Sequence, residues 1–274
     1  MKLEGSVAIV TGAGGGIGAA LCRRFVEHGA RVVATDLDEG RLTAEVDAIA
    51  ADHDGAIVAL AGDCSSTDHI RATIELAEST FDAPVDLYVA NAGVGLGDGL
   101  DATPADWRTS IDVNLMAHVR AAELLVPGWL ERGQGHFLST ASAAGLLTQI
   151  GSATYSVTKH AAVAFAEWLS ATYGERGVVV QAICPQGVRT RMLADAGPLQ
   201  ELLSRDTALE PEDVAEAVWQ GLQDDRFLIL PHPEVADYYA LRATQTDRWL
   251  AGMRKLQRRL DEAATIHPST EENR

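Results

Sequence analysis

Short runs rich in apolar and β-branched residues recur along the chain, separated by longer segments with helical spacing of apolar residues, and this alternation limits the possible folds most strongly. Most runs are unbroken, which is typical of parallel strands covered on both faces. The pattern predicts an α/β fold with a doubly wound, parallel, seven-stranded sheet flanked by helices. We expect strands at residues 7–11, 31–35, 56–60, 85–90, 135–140, 178–184 and 226–230. We expect helices at residues 16–29, 38–52, 67–81, 104–132, 153–175 and 211–223.

No linker, repeat or low-complexity segment interrupts residues 1–262, which indicates one domain, followed by a polar tail at 263–274. Residues 234–262 are expected to form a C-terminal helix. Its helical stripe of apolar side chains consists of Trp249, Met253, Leu256 and Leu260. Two interpretations stay open, a helix docked on its own domain and a helix that contributes to a subunit interface.

Composition excludes several classes of partner. The formal net charge of −17 disfavours binding to nucleic acid or to an anionic membrane surface. No apolar run is long enough to predict a membrane span. Cys22, Cys64 and Cys184 lack metal-type spacing, so we expect buried reduced thiols and a cytoplasmic protein. The eight histidines are scattered, so we expect structural or surface roles and no metal.

Residues 11–20 read TGAGGGIGAA and follow the first predicted strand directly. A glycine-rich turn before a helix lets backbone N–H groups approach a phosphate, and the helix N-terminus favours the negative charge. The dinucleotide pattern Gly-x-Gly-x-x-Gly does not fit, because counting from Gly12 places Ile17 at the third glycine. The strand–turn–helix context still predicts a Rossmann-type nucleotide site, with a merely tight turn as the alternative.

Asp36 ends the second predicted strand. A carboxylate at this place accepts hydrogen bonds from the adenosine ribose hydroxyls and repels a 2′-phosphate. The residues that follow it, Leu37, Asp38 and Glu39, include no cation. The sequence therefore predicts NAD in preference to NADP.

Tyr155 and Lys159 lie four residues apart in a predicted helix, so both side chains project from one face. A nearby ammonium and a positive nicotinamide ring would lower a tyrosine pKa and make it a base for an alcohol proton. On spacing alone, an exposed tyrosine and lysine remain the alternative.

The combined motifs resemble the short-chain dehydrogenase/reductase family. Thr11, Gly12, Gly16, Ile17 and Gly18 match its Thr-Gly-x-x-x-Gly-x-Gly signature. Further matches are Asn91-Ala92-Gly93, Asn114, Ser142 thirteen residues before the tyrosine, Tyr155-x-x-x-Lys159, and Asp63 at the adenine position. These motifs span residue 11 to about residue 190 in the family's order.

The resemblance implies four catalytic roles. Tyr155 as phenolate takes the hydroxyl proton of the substrate, and Lys159 lowers the tyrosine pKa and holds the nicotinamide ribose. Ser142 binds the substrate oxygen, and Asn114 helps hold a water that links Lys159 to solvent. The cofactor supplies the redox chemistry.

The resemblance also implies the cofactor contacts. Gly12 would permit the tight turn, Gly16 the phosphate approach and Gly18 close helix packing, while Gly14 and Gly15 would add only flexibility. The full expected set is Gly12, Gly14, Gly15, Gly16, Ile17, Gly18, Asp36, Leu37, Asp63, Cys64, Asn91, Ala92, Gly93, Tyr155, Lys159, Pro185, Gly187, Val188 and Thr190.

Gln186 departs from the family, which usually has glycine after Pro185. We expect the Gln186 amide to line the substrate pocket beside Ser142, although its side chain could instead point away. The segment 191–210, with Met192 and Leu193, reads as a helical lid over an apolar pocket. Four apolar residues are expected at the rim of that pocket: Leu96, Leu146, Leu147 and Ile150. The predicted substrate is a neutral, hydrophobic secondary alcohol or its ketone, although packing within the lid would also explain its leucines.

The helices 104–132 and 153–175 are apolar on more than one face, which favours a homodimer or homotetramer. The sequence as a whole predicts an NAD-dependent alcohol dehydrogenase or carbonyl reductase. An NADPH-dependent ketoacyl-type or other carbonyl reductase is the second enzyme hypothesis. A non-catalytic NAD-sensing protein is the third, but it would not need the Ser142–Tyr155–Lys159 set.

Overall fold

The computed structural model describes residues 1–196 and 208–266, with side chains described to residue 262. Residues 197–207 of the expected lid, and the tail from residue 267 onward, lie outside the described residues. Within the described part, no helix is long and apolar enough to cross a bilayer.

The fold is built on a sheet of seven parallel strands, as the apolar runs predicted. The strands are β1 Val7–Thr11, β2 Arg31–Thr35, β3 Ile57–Ala59, β4 Leu87–Ala90, β5 Gly135–Thr140, β6 Val178–Ile183 and β7 Leu228–Ile229. They are ordered β3-β2-β1-β4-β5-β6-β7. The chain builds outward from β1 in one direction and from β4 in the other, so the crevice at their carboxyl ends is the place where such sheets bind ligands.

Helices cover both faces of the sheet and form two hydrophobic cores. In chain order they are α1 Gly16–Glu27, α2 Glu39–Ala50, α3 Thr67–Phe81, α4 Pro104–Ile111, α5 Ala117–Arg132, α6 Ala144–Leu147, α7 Ala153–Tyr173, α8 Arg191–Ala194, α9 Pro211–Asp224, α10 Glu234–Thr244 and α11 Thr246–Ile266. One core contains Trp129 and Leu169, and the other contains Phe25 and Leu42. The result is the single-domain Rossmann-type architecture expected from the sequence.

The expected single helix 104–132 is wrong. The α4 helix begins at a capping box between Thr103 and Asp106, and a π-helical turn at Asp112–Met116 separates α4 from α5. A π turn inserts one extra residue and occurs frequently at functional sites. Here it carries Asn114, which is fully buried.

The expected single C-terminal helix is also divided. Gln245 leaves helical geometry, with φ −139° and ψ 56°, and separates α10 from α11. The Tyr238 and Trp249 rings contact each other across this bend, and the Arg242 guanidinium donates to the Leu146 carbonyl. The pair of helices is therefore anchored on its own domain through α10.

The three cysteines are free thiols. Cys22 and Cys184 are buried as expected, whereas Cys64 is only half-buried.

Candidate active site

The glycine-rich turn lies at the carboxyl end of β1, and α1 begins at Gly16. No side chain caps the start of this helix. The first amides of α1 therefore remain available to an anionic ligand, which the helix dipole also favours.

Thr11 and Asn91 fix this turn to the end of β4. The Thr11 hydroxyl accepts from the backbone amides of Asn91 and Ala92, at 2.9 Å each. Asn91 Nδ2 donates to the Thr11 carbonyl at 2.9 Å. Two adjacent strands are thus joined where the cleft opens.

Gly18 and Gly14 are both required by close contacts. A Cβ at Gly18 would lie 2.1 Å from the Gly12 carbonyl oxygen, so close packing of α1 on the turn requires glycine, as expected. The expectation that Gly14 adds only flexibility is wrong. Its amide donates to Asp36 Oδ2 at 2.9 Å, and a Cβ there would lie 2.9 Å from the Asp36 carboxyl carbon.

The Asp36 carboxylate is fixed at the end of β2. Besides the Gly14 amide, it accepts from the Asp38 amide at 3.0 Å through Oδ1. The structure also has a cation near this position, Arg41, which the sequence did not lead us to expect. Arg41 Nε lies 2.7 Å from Asp38 Oδ2, and hydrogen bonds from Arg41 lower the pKa of Asp38. This cation is therefore neutralised locally by Asp38.

Asp63 lies on the exposed loop after β3. Its Oδ1 accepts from the Ser65 amide at 2.8 Å and from the Ser65 hydroxyl at 2.7 Å. Beside it, the His69 ring packs against Gly62 and hydrogen-bonds the Thr35 hydroxyl at 2.7 Å. Desolvation lowers the pKa of His69. The bond between His69 and Thr35 joins the start of α3 to the end of β2.

Ser142 and Tyr155 meet on the other side of the cleft. Ser142 Oγ accepts from the Ala144 amide at 3.0 Å and donates to the Pro185 carbonyl at 3.4 Å. A hydrogen bond with Ser142 lowers the pKa of Tyr155, but burial has the larger effect, and the net pKa of this phenol is raised. The protein groups alone therefore favour the neutral tyrosine.

Lys159 is buried beside the tyrosine. Its Nζ donates to the Thr140 carbonyl at 2.9 Å and lies 5.6 Å from the centroid of the Tyr155 ring. Burial lowers the pKa of Lys159 to about 8. Desolvation of the phenol dominates the net pKa of Tyr155 in the protein alone, and the lowering expected from Lys159 stays a prediction.

Asn114 connects three elements of the site. Its Oδ1 accepts from the Val94 amide at 2.8 Å, and its Nδ2 donates to the Val94 carbonyl at 2.9 Å and to Thr158 Oγ1 at 3.0 Å. A Cβ at Gly93 would lie 3.1 Å from Lys159 Nζ and 3.2 Å from Asn114 Oδ1. Thr158 and the Thr140 carbonyl were not predicted from the sequence, since neither has a defined role in a motif.

The loop after β6 borders the same cleft. Gln186 is half-buried, and its backbone amide donates to His232 Nδ1 at 3.1 Å. The Thr190 methyl lies 2.9 Å from the place of a Cβ on Gly16, so this loop touches the glycine-rich turn. His232 was not singled out by the sequence.

Four apolar residues divide between the surface and the core. Met192 is 45% exposed, whereas Leu193 is buried. The expectation that Leu146 and Leu147 lie at a pocket rim is wrong. Both are buried in the hydrophobic core, because α6 packs against α7.

Two buried histidines have partners inside the fold. His118 Nδ1 lies 3.1 Å from Ser139 Oγ, and burial lowers the pKa of His118 to about 3. His136 Nε2 lies 2.8 Å from Gln181 Oε1, and burial lowers its pKa to about 4. Across the described ranges, no group of three or more potential ligands could hold a metal ion.

Comparison with known proteins gives consistent matches. The family model for short chain dehydrogenase matches residues 6–200. The chain is 35% identical over 240 residues to 1-deoxy-11-beta-hydroxypentalenate dehydrogenase from Streptomyces avermitilis, covering 85% of this chain and 87% of that protein. A short chain dehydrogenase/reductase from Burkholderia phymatum, solved with NAD, superposes with a TM-score of 0.82 at 28% identity, covering 90% of this chain and 96% of the other. A short-chain dehydrogenase from Sphingobium yanoikuyae, solved with NADPH, gives a TM-score of 0.76 at 25% identity, covering 91% and 95%.

Proposed function

The chain belongs to the short-chain dehydrogenase family, and on that premise we propose that it interconverts a secondary alcohol and its ketone with NAD(H). One observation carries the proposal: Ser142, Tyr155 and Lys159 converge at the sheet edge that also carries the glycine-rich turn. A hydroxyl, a phenol and a nearby ammonium can together move the proton of an alcohol.

The residues of the cleft fit a dinucleotide. The close contacts at Gly14 and Gly18 leave no room for side chains, and the uncapped start of α1 suits a pyrophosphate. Asp36 would hold the adenosine ribose, and Lys159 the nicotinamide ribose. When bound, the cofactor accepts or donates the hydride.

Asp36 and Arg41 support NAD over NADP. The Asp36 carboxylate is fixed by the Gly14 and Asp38 amides, and it would repel a 2′-phosphate. Arg41 could attract such a phosphate, but it is paired with Asp38. The alternative, an NADPH-dependent reductase, has a solved relative with NADPH in its favour.

In the proposed mechanism, Tyr155 takes the hydroxyl proton during oxidation and returns it during reduction. The Ser142 hydroxyl, hydrogen-bonded to Tyr155, is placed to bind the same substrate oxygen. Because burial raises the pKa of Tyr155, its deprotonation needs positive charge nearby, and the Lys159 ammonium is one source.

Asn114 contributes by position. Both hydrogens of its carboxamide are used, by the Val94 carbonyl and by Thr158. We propose a water between Lys159 and solvent. That water would donate a hydrogen bond to Asn114 Oδ1, or it would bond to the backbone of the π turn. In either case, Asn114 fixes the π turn against α7.

For the substrate we propose a neutral, largely hydrophobic alcohol or ketone. The exposed Met192 and the half-buried Gln186 would border the pocket near Ser142. The Streptomyces relative acts, by its name, on a hydroxylated substrate. Gln186→Ala should change KM or selectivity across a substrate panel, and unchanged kinetics across that panel would remove Gln186 from the pocket.

We also propose self-association as a homodimer or homotetramer. The helices α4 and α7 expose Ile111, Val157 and Trp168, and the last two are 53% and 54% exposed. Large exposed apolar side chains on neighbouring helices suit an interface between copies.

The direct test is a screen of secondary alcohols and ketones, with NAD(H) and NADP(H) supplied separately and formation or loss of reduced cofactor followed by absorbance. We expect turnover with NAD(H). Turnover with NADP(H) alone would support the alternative reductase. Tight NAD binding with no turnover across the panel would support the NAD-sensing hypothesis.

A further inference from the structure

Arg120 on α5 makes two hydrogen bonds that the proposed mechanism does not use. Its Nη1 donates to the Ser65 carbonyl at 2.7 Å, and its Nη2 donates to Asp112 Oδ1 at 2.9 Å. The side chain is 25% exposed. A guanidinium is planar and rigid, so its two ends hold the two acceptors at a fixed separation.

The first acceptor belongs to the loop after β3. Asp63 Oδ1 accepts from both the amide and the hydroxyl of Ser65, which makes Asp63 and Ser65 one rigid turn. Asp63 is the residue that we expect beside the adenine. Through the Ser65 carbonyl, Arg120 holds this turn from the side of α5.

The second acceptor begins the π turn. Asp112 is the first residue of that turn, and Asn114 follows two positions later. Asn114 donates to Thr158, which directly precedes Lys159 on α7. The bond from Arg120 to Asp112 therefore acts on the element that orders the Lys159 side of the cleft.

We propose that Arg120 is a positioning residue that couples the adenine end of the cofactor cleft to the π turn and, through it, to the catalytic end. This inference rests on the proposed function for the identity of the ligand. Since one guanidinium bonds both elements, ordering of the adenine loop by a bound dinucleotide also favours the bonded arrangement of the π turn. Lysine cannot replace it, because a single ammonium does not reproduce the two-ended fork.

Arg132 supplies a matched control on the same helix. Its Nη2 donates to the Val85 carbonyl at 3.0 Å and lies 3.7 Å from Asp86 Oδ1. Its side chain is 32% exposed, similar to that of Arg120. Val85 and Asp86 precede β4, at the edge of the sheet opposite to the cleft, so this pair makes the same kind of contact away from the site.

The test measures nucleotide binding in four proteins, and binding together with turnover in a fifth. Wild type, Arg120→Met, Arg120→Lys and Arg132→Met are titrated with ADP-ribose, which has no nicotinamide, and with whichever of NAD⁺ and NADP⁺ the wild type binds more tightly. Thermal unfolding of each variant is recorded beside the titrations. Asp112→Ala, which keeps the Ser65 contact, is titrated with ADP-ribose and assayed for kcat.

For Arg120→Met we expect ADP-ribose affinity to fall about tenfold, the effect of losing one charge-assisted hydrogen bond. Arg120→Lys should recover only part of the lost affinity. Arg132→Met should bind ADP-ribose with wild-type affinity, and its melting temperature should be similar to that of Arg120→Met. Asp112→Ala should lose kcat about tenfold or more, and it should weaken ADP-ribose by less than Arg120→Met does, because the contact with Ser65 is kept. Wild-type ADP-ribose binding by Arg120→Met, equal weakening by Arg132→Met, or unchanged kcat in Asp112→Ala would each overturn the coupling while leaving the proposed function intact. Failure of the wild type to bind any of these nucleotides would overturn the proposed function, and the coupling with it.

Discussion

Lys159 Nζ donates to the Thr140 carbonyl across 2.9 Å, which holds the ammonium beside the Tyr155 ring. The ammonium is buried, and that burial lowers its pKa to about 8. The residue proposed to hold the cofactor is therefore also a source of instability in the protein alone, as is common where function requires a buried charge.

The cost of this buried charge depends on pH. The folded pKa of Lys159, about 8, lies below its ordinary value of 10.5, so the unfolded chain binds more protons between these two pH values. The contribution of Lys159 to the free energy of unfolding of the wild type therefore rises as pH increases from about 8 to about 10.5. Lys159→Met should be more stable than wild type by about 1–2 kcal/mol at pH 7, less than the full pKa shift implies because the Thr140 carbonyl loses its donor. The stability difference should narrow towards pH 10.

Urea unfolding at the two pH values measures this effect, and Lys255→Met is the control. Lys255 is exposed on α11, so its replacement should leave the pH dependence of stability unchanged. A Lys159→Met protein less stable than wild type at pH 7, or a gap independent of pH, would contradict the prediction.

Cofactor selectivity should depend more on Asp36 than on its neighbour Asp38. Asp36→Ala removes the carboxylate that opposes a 2′-phosphate, so the ratio of kcat/KM with NADP⁺ to that with NAD⁺ should rise about tenfold or more. Asp36→Ala should also weaken the binding of NAD⁺, because the Gly14 amide loses its acceptor. Asp38→Ala frees Arg41 to attract a 2′-phosphate, so it should also raise the ratio, but by less than Asp36→Ala because the pair is exposed. An unchanged ratio in Asp36→Ala would show that another residue sets selectivity.

Self-association should depend on the exposed face of α7. Trp168→Glu places a charge at the proposed interface and should shift the mass measured by light scattering from a multiple of 29.1 kDa to 29.1 kDa. Glu131→Gln changes an exposed charge near the end of α5 and should leave the mass unchanged. If wild type is already a monomer, or if Trp168→Glu keeps its mass, the interface lies elsewhere or does not exist.

Sequence patterns predicted the sheet because buried parallel strands need unbroken apolar runs, and these are visible without tertiary information. The glycine-rich turn at residues 12–18 was also predicted, because its glycines and the strand before it lie within one short stretch of sequence. The π turn was not, since residues 112–116 contain neither proline nor glycine and their apolar spacing continues that of the flanking helices. The burial of Leu146 and Leu147 depends on how α6 packs against α7, which no local pattern records.

The candidate site likewise contains residues that the sequence predicted and partners that it did not. Asp36 was identified from its place at the end of a strand, and Ser142 and Tyr155 from the family resemblance. Their partners were not, because the Thr140 carbonyl is a backbone atom and Arg120 lies more than fifty residues from Ser65 along the chain. The direction of the Tyr155 pKa shift could not be predicted from the sequence, since it depends on how burial compares with the hydrogen bond between Tyr155 and Ser142.

The central claim is that Tyr155 transfers the proton of the substrate alcohol, and Tyr155→Phe tests it most directly. The variant removes one hydroxyl and keeps the ring beside Lys159. With the best substrate from the screen, we predict that kcat falls by about 10²–10⁴-fold, the usual contribution of general acid–base catalysis, while NAD⁺ affinity and melting temperature stay close to wild type. A Tyr155→Phe enzyme that retained a tenth or more of wild-type kcat would contradict the account.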